Sequence, residues 1–284
     1  MTTIITKNSS TASAVPLAAD LVQGELAVNV TDKKLYTKNA SGSVVDITPI
    51  PPYGLKNKLY NAQGLINQRG YVSGTATTTA NQYTLDRWRV VTSGQNLTFS
   101  TSANEVTFTA PAGGVEQVIE GLNLESGTYT LSWTGTAAAT VAGTSVSNGG
   151  TVSITGGTNT TVKFSSGTFK NPQLEKGSTA TSFDYRPYGT ELALCQRYCL
   201  VDTNANAAYR WFANGYSTSS TGSVFNRFFP VTMRTSPSLT VSGGTSFLVD
   251  SVTGQQTTSV IDSGYATPIQ ARLTATVASG LTAG

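Results

Sequence analysis

Short runs that alternate apolar and polar residues, closed by turn residues roughly every 8–15 positions, limit this chain more than any other feature of its sequence. YTLDRWRVV, NLTFS, EVTFTA, EQVIEGL, TYTLSW, TVSIT and TVKFS follow one another in this way between Leu55 and Tyr188. In TYTLSWT, Tyr129, Leu131 and Trp133 fall on one side of an extended chain and Thr130, Ser132 and Thr134 on the other, the pattern of a half-buried strand. A series of such strands predicts an antiparallel sandwich or jelly roll, not a parallel α/β sheet. Trp133 is expected in its core. Trp88, between Arg87 and Arg89, is expected to pack in the core or between sheets in preference to stacking on a sugar. The glycine pairs at Gly113, Gly149 and Gly156 lack a following Lys and helix, so they read as hairpin punctuation and not as a phosphate loop.

A length of 284 residues exceeds one ordinary core and predicts modules in series. The three prolines of TPIPPYG (48–54) make a stiff extended connector, which bounds a module at residues 1–48 and a linker at 49–56. Within the first module, Leu26 and Val28, then Leu35, then Val44 and Asp46 alternate around short turns and predict a small β-meander. So few residues hardly build a core alone, so the module is expected to need an oligomer or a larger partner; a poorly ordered leader is the alternative. The sandwich is expected over 57–189 and a connecting helix over 190–200, capped by Thr190, with Glu191 at its positive end and Leu192, Cys195 and Cys199 on one face. Three helical turns are marginal in isolation, which predicts packing on a neighbouring sheet. Residues 201–284 form a last β-domain, expected to be a second sandwich. Its core would come from the cluster Tyr209, Trp211, Phe212, Tyr216, Phe225, Phe228 and Phe229.

Composition removes several functions. A net charge of +3 without a basic run gives no field for nucleic acid, and no apolar stretch approaches the ~20 residues that cross a bilayer. MTTIITKNSS lacks the shape of a signal peptide. The chain has no His, which excludes Ser-His and Cys-His nucleophile pairs and His-ligated metal, so neither a metal nor another cofactor is expected. Cys195 and Cys199, four apart in a helical segment, are poorly placed for a disulfide and read as small apolar residues. Carboxylate chemistry of the glycoside-hydrolase kind is left, yet Glu105, Glu116, Glu120 and Glu125 read as solvated or structural, and no catalytic residue is assigned.

The stretch PLAADLVQGELAVNVTDKKLYTKNASGSVVDI (16–47) resembles the N-terminal attachment segment of tail-fibre and tail-associated proteins of tailed bacteriophages. The resemblance implies a virion anchor that includes Gly24, Glu25, Leu26, Val28, Leu35 and Tyr36. The order EQVIEGLNLESGTYTLSW followed by FKNPQLEKGSTATSFDYRPYG resembles the carbohydrate-binding-module-like jelly rolls of phage fibres, with NPQLEKGSTATSFDYRPYGTELALCQRYC as a joint between modules. FPVTMRTSP (229–237) resembles their C-terminal domains, where the distal tip meets a receptor. That implies a glycan or receptor contact among Tyr209, Arg210, Trp211, Tyr216 and Arg227, against a role for each in the core or in trimer contacts. The whole predicts an elongated, mainly β homotrimer of the virion, assembled in the host bacterial cytoplasm. It would join tail or baseplate proteins through residues 1–48 and a host glycan at its other end, with no nucleic acid or membrane insertion. The alternatives are a capsid-surface fibre or decoration protein and, from another class, a capsule-degrading glycanase, which the absence of a long repeat disfavours.

Overall fold

In the computed structural model the described residues are 6–48, 56–102, 105–202, 212–240, 248–251 and 254–282. The prolines Pro49, Pro51 and Pro52 and the candidates Tyr209, Arg210 and Trp211 lie outside them. The chain is mainly β and gathers into two compact units, 1–54 and 55–284.

In the first unit β1 (Lys7–Ser9), β2 (Leu26–Asn29), β3 (Lys34–Lys38) and β4 (Val44–Asp46) lie side by side in one sheet. The last three make the expected meander, with Lys33 in the left-handed region at the first turn. The polar strand β1 adds itself parallel to β2, with Lys7 opposite Ala27. The inward face is not the one that carries the larger aliphatics. Leu21, Ala27 and Tyr36 form the small core with Val44 against it, whereas Leu26 is 40% exposed. Register explains this: Ala27 pairs with Tyr36 and Val28 with Leu35, so the larger aliphatics share the opposite face. Buried Asn29 takes the place of an apolar residue. Its Nδ2 donates to Thr11 O and Ala14 O, both at 2.9 Å, and its Oδ1 accepts from the backbone N–H groups of Thr31 and Asp32, tying the crossover to the turn.

The second unit opens with the sandwich. β5 (Gln82–Tyr83), β6 (Arg89–Val90), β9 (Val115–Ile119), β11 (Ala138–Val141), β12 (Thr144–Val146) and β14 (Thr160–Ser165) form a six-stranded sheet. The facing five-stranded sheet holds β7 (Thr98–Ser102), β8 (Glu105–Ala110), β10 (Gly127–Gly135), β13 (Gly150–Ile154) and β15 (Gly167–Lys176). All pairings are antiparallel, and the chain crosses repeatedly between the sheets. Phe164 on one sheet stacks on Phe169 of the other at 4.3 Å, Phe108 stacks on Phe169 at 4.7 Å, and Trp88 packs against all three rings. Each such pair contributes about 0.5–1.5 kcal/mol beyond area burial. Trp88, Tyr129, Leu131 and Trp133 are buried as expected.

Two local expectations are corrected and one is narrowed. YTLDRWRVV is not one strand: the chain reverses between β5 and β6, where Trp88 N–H bonds Leu85 O and Arg87 adopts φ 72°. The stretch resembling a joint begins inside the sandwich, because Pro172, Gln173, Leu174 and Glu175 form the buried half of β15. A register shift opposite, between Ser132 and Thr134, and a left-handed Asn171 mark the bulge that admits Pro172 within a paired strand. The helix α1 runs Tyr188–Gln196 with Pro187 at its N-cap, so Thr190 lies inside it and Cys199 beyond it. The buried helical residues are Glu191 and Cys195, while Leu192 is only half-buried. What holds the helix is polar: Arg186 Nη1 pairs with Glu191 at 3.1 Å, both are buried, and Asn61 N–H donates to the same carboxylate.

The C-terminal strands β16 (Asn214–Ser217), β17 (Gly222–Phe228), β18 (Leu248–Ser251), β19 (Gly254–Ala266) and β20 (Gln270–Val277) form one antiparallel sheet in the order β16-β17-β20-β19-β18. Val249, Ala275, Val277 and Leu281 make its core, with Phe225 and Ile261 against them. Of the described members of the aromatic cluster, Phe225 packs on this core, whereas Tyr216 and Phe228 are exposed. Arg197 joins this part to the sandwich. Its carbonyl accepts Arg234 N–H at 2.9 Å, and its guanidinium reaches Thr232 O and the Glu120 carboxylate, each at 3.2 Å.

Candidate functional site

The two faces of the C-terminal sheet are unlike each other, and strand register assigns residues to each. Phe225 lies opposite Leu273 and Ser223 opposite Ala275, which sets one face over the core. On the other face Tyr216 lies opposite Val224, Asn226 opposite Arg272 and Phe228 opposite Gln270. Val224 is buried there, but Tyr216 is 58% exposed and Phe228 64%. A third ring joins them through an irregularity. Ser263 lies opposite Leu273, so an unbroken ladder would put Tyr265 opposite Ala271 on the core face; the register shift places it opposite Arg272, 75% exposed. The bulge thus turns one more aromatic outward. Three exposed rings with Arg272 and Asn226 between them offer flat apolar surface beside hydrogen-bond donors, the combination that sugar rings use.

Of the residues expected at a receptor contact, Tyr216 stands on this face. Arg227 belongs to the opposite one, where its Nη2 meets Asp202 Oδ2 at 2.7 Å and its guanidinium lies 5.4 Å from the Phe212 ring centre. Tyr265, Arg272 and Asn226 were not singled out in the sequence. A 13-residue strand with a lone outward aromatic carries no period that would mark them.

The anchor candidates of the first unit divide in two. Gly24 holds φ 82° and donates to Lys38 O, and Tyr36 sits in the core, so these two shape the unit. The Glu25 carboxylate accepts Val22 N–H at 2.9 Å and pairs with Lys7 at 3.0 Å, which holds it below the ordinary carboxylate range. Leu26, Val28 and Leu35 lie together on the face away from the core, beside Val45 through its pairing with Thr37. Val15, Leu17, Val22, Val30 and Ile47 add further exposed apolar side chains in the same unit. Asp46 loses solvent, which alone would raise it, yet the Lys34 ammonium at 2.8 Å and two Thr48 hydrogen bonds bring it down to about 2.

The four glutamates weighed for carboxylate chemistry are each tied to a cation: Glu105 to Lys170 at 2.7 Å, Glu116 to Arg89 at 2.5 Å, Glu120 to Arg197 at 3.2 Å, and Glu125 to Lys176. Both thiols are free, and burial pushes both up in pKa, Cys195 the more strongly. Among the described residues no group of three His, Cys, Asp or Glu is placed to hold a metal ion, and no helix is long and apolar enough to cross a membrane.

Over 42 residues the sequence is 45% identical to the long tail fiber protein Gp37 of Enterobacteria phage T2, a match that takes in 15% of this chain and 3% of that protein. The chain thus spans only a small part of the relative's length. No family model matches the sequence, and no solved structure matches the fold.

Proposed function

We propose that this chain is a structural protein of a phage virion, a component of a tail fibre or tail-associated appendage. It attaches by residues 1–48 and meets a host-surface glycan with the open face of its C-terminal sheet. The similarity to a long tail fiber protein carries the fibre reading. The exposed rings of Tyr216, Phe228 and Tyr265 support the glycan contact.

The chain acts as a homotrimer in this reading. Leu26, Val28, Leu35 and Val45 present a side of the first sheet that its own core does not use, and neighbouring copies or a virion protein would cover it. Three copies of a weak sugar site bind a cell surface far more tightly than one. A glycanase is disfavoured because the sandwich carboxylates named above are engaged with Lys or Arg partners.

The test is the triple variant Tyr216→Ala, Phe228→Ala, Tyr265→Ala in assembled particles. Exposed rings contribute little to folding, so the melting temperature should stay within what about 0.5 kcal/mol per site produces, while adsorption falls at least tenfold. Adsorption at the wild-type rate would overturn the glycan surface. Particles that incorporate chains lacking residues 1–48 in normal number would overturn the anchor, and a monomer by light scattering would overturn the trimer.

A further inference from the structure

Where α1 ends against the sandwich, a cleft of about 300 Å³ is lined by Arg69, Tyr83, Arg87, Arg89, Tyr198 and Arg234, with Asp86, Glu120 and Asn159 among them. Its charges do not balance. Arg69 approaches Asp86 at 3.5 Å, Arg89 holds Glu116, and Arg197 and Arg234 share Glu120 at 3.2 and 3.9 Å. In the lining itself four guanidinium groups, those of Arg69, Arg87, Arg89 and Arg234, face two carboxylates, Asp86 and Glu120.

Arg87 is the unusual member. The turn before β6 holds it at φ 72°, a conformation that a long side chain seldom adopts, and the residue is 5% exposed. Its guanidinium lies 3.5 Å from the Tyr198 ring centre, and one Nη donates to Val118 O. Among the described residues its Nε has no hydrogen-bond acceptor, and no carboxylate lies within ion-pair distance of it. A buried cation without a counter-charge is costly, and a bound anion is the direct way to offset that cost. Desolvation pushes Arg87 below the ordinary arginine range, in keeping with a missing partner.

We propose that this cleft binds the oxyanion of an acidic sugar, a uronic carboxylate or a sugar phosphate. Guanidinium forks match the two-oxygen edge of either group. The volume lies at the low end of ligand pockets, ~300–1,000 Å³, which is more room than a bare ion uses and enough for one ring. Tyr83 offers a ring and Asn159 an amide to the sugar's own ring and hydroxyls. The cleft is separate from the open sheet face, so its occupancy does not depend on the receptor reading given above. Because Arg234 comes from the C-terminal part and Arg87 from the sandwich, a bound anion also ties these two parts together.

Calorimetric titration of the full chain with glucuronate, glucose 6-phosphate, inorganic phosphate and glucose tests this. At least one acidic sugar should bind with a dissociation constant of about 0.1–10 mM, at least tenfold tighter than phosphate, and glucose should not bind. Arg234→Gln, at a side chain 51% exposed, should weaken binding at least tenfold with the unliganded melting temperature little changed, and Arg69→Gln should act in the same direction. No binding of either acidic sugar, equal binding of glucose, phosphate as tight as the sugars, or unchanged affinity in both variants would each overturn the proposal.

Discussion

Glu191→Ala separates two accounts of why α1 stays on the sandwich. If the residue only complements the helix dipole, its loss costs about 0.3–1 kcal/mol. The structure assigns it more. Glu191 is 5% exposed and Arg186 8%, their contacts are 3.1 and 3.3 Å, and Asn61 N–H donates to the same carboxylate. Removing the carboxylate leaves a guanidinium and a backbone N–H buried together, although Arg186 keeps its bond to Leu59 O at 2.9 Å. Breaking one partner of such a pair costs about 3–5 kcal/mol, a large share of the ~5–15 kcal/mol that holds a domain folded. Guanidinium unfolding followed by tryptophan fluorescence reads this directly, since Trp88 and Trp133 lie in the sandwich core. The double change Arg186→Met with Glu191→Leu should recover most of the loss, because it removes both charges and refills the volume. A single-variant loss below about 1 kcal/mol would refute the buried-pair account and restore the dipole reading.

Three further outcomes are expected. Asp46 has a folded pKa of about 2 against an ordinary 3.8, so its contribution is present above pH 3.8 and is lost as pH falls towards 2. With the Lys34–Asp46 pair 37% and 36% exposed, screening leaves about 0.5–1 kcal/mol, and Asp46→Asn should remove that acid dependence from the melting of residues 1–54. Cys195 should resist a thiol reagent at pH 8 until denaturant is added, with half-buried Cys199 labelled first by mass spectrometry; rapid labelling of Cys195 in the folded protein would contradict its burial. Gly215→Ala should destabilise the C-terminal sheet by at least about 2 kcal/mol, since the added methyl would collide with the Val224 carbonyl across the β16–β17 pair; an unchanged melting curve would refute that packing.

The sequence by itself determined the class of the fold and much of its core. Alternation in TYTLSW reports which side chains prefer to leave water, and it put Tyr129, Leu131 and Trp133 on the side that is buried. The same logic stopped short at Leu26, Val28 and Leu35. Alternation names two faces without saying which one is covered, and here the core formed around Ala27 and Tyr36. At β15 the resemblance to a joint did not reveal that Pro172 sits in a paired strand, because only a bulge gives it a place in the ladder. Glu191 was legible as a helix residue but not as half of a buried pair, since Arg186, Asn61 and Asn57 come together only when the chain returns on itself. The candidate sites were least legible. Tyr265 reaches the open face through one register shift, and Arg87 meets Tyr198 across 111 positions of sequence. Local period is a property of neighbours along the chain, whereas register, burial and counter-charge are settled by neighbours in space, and only the tertiary structure supplies those.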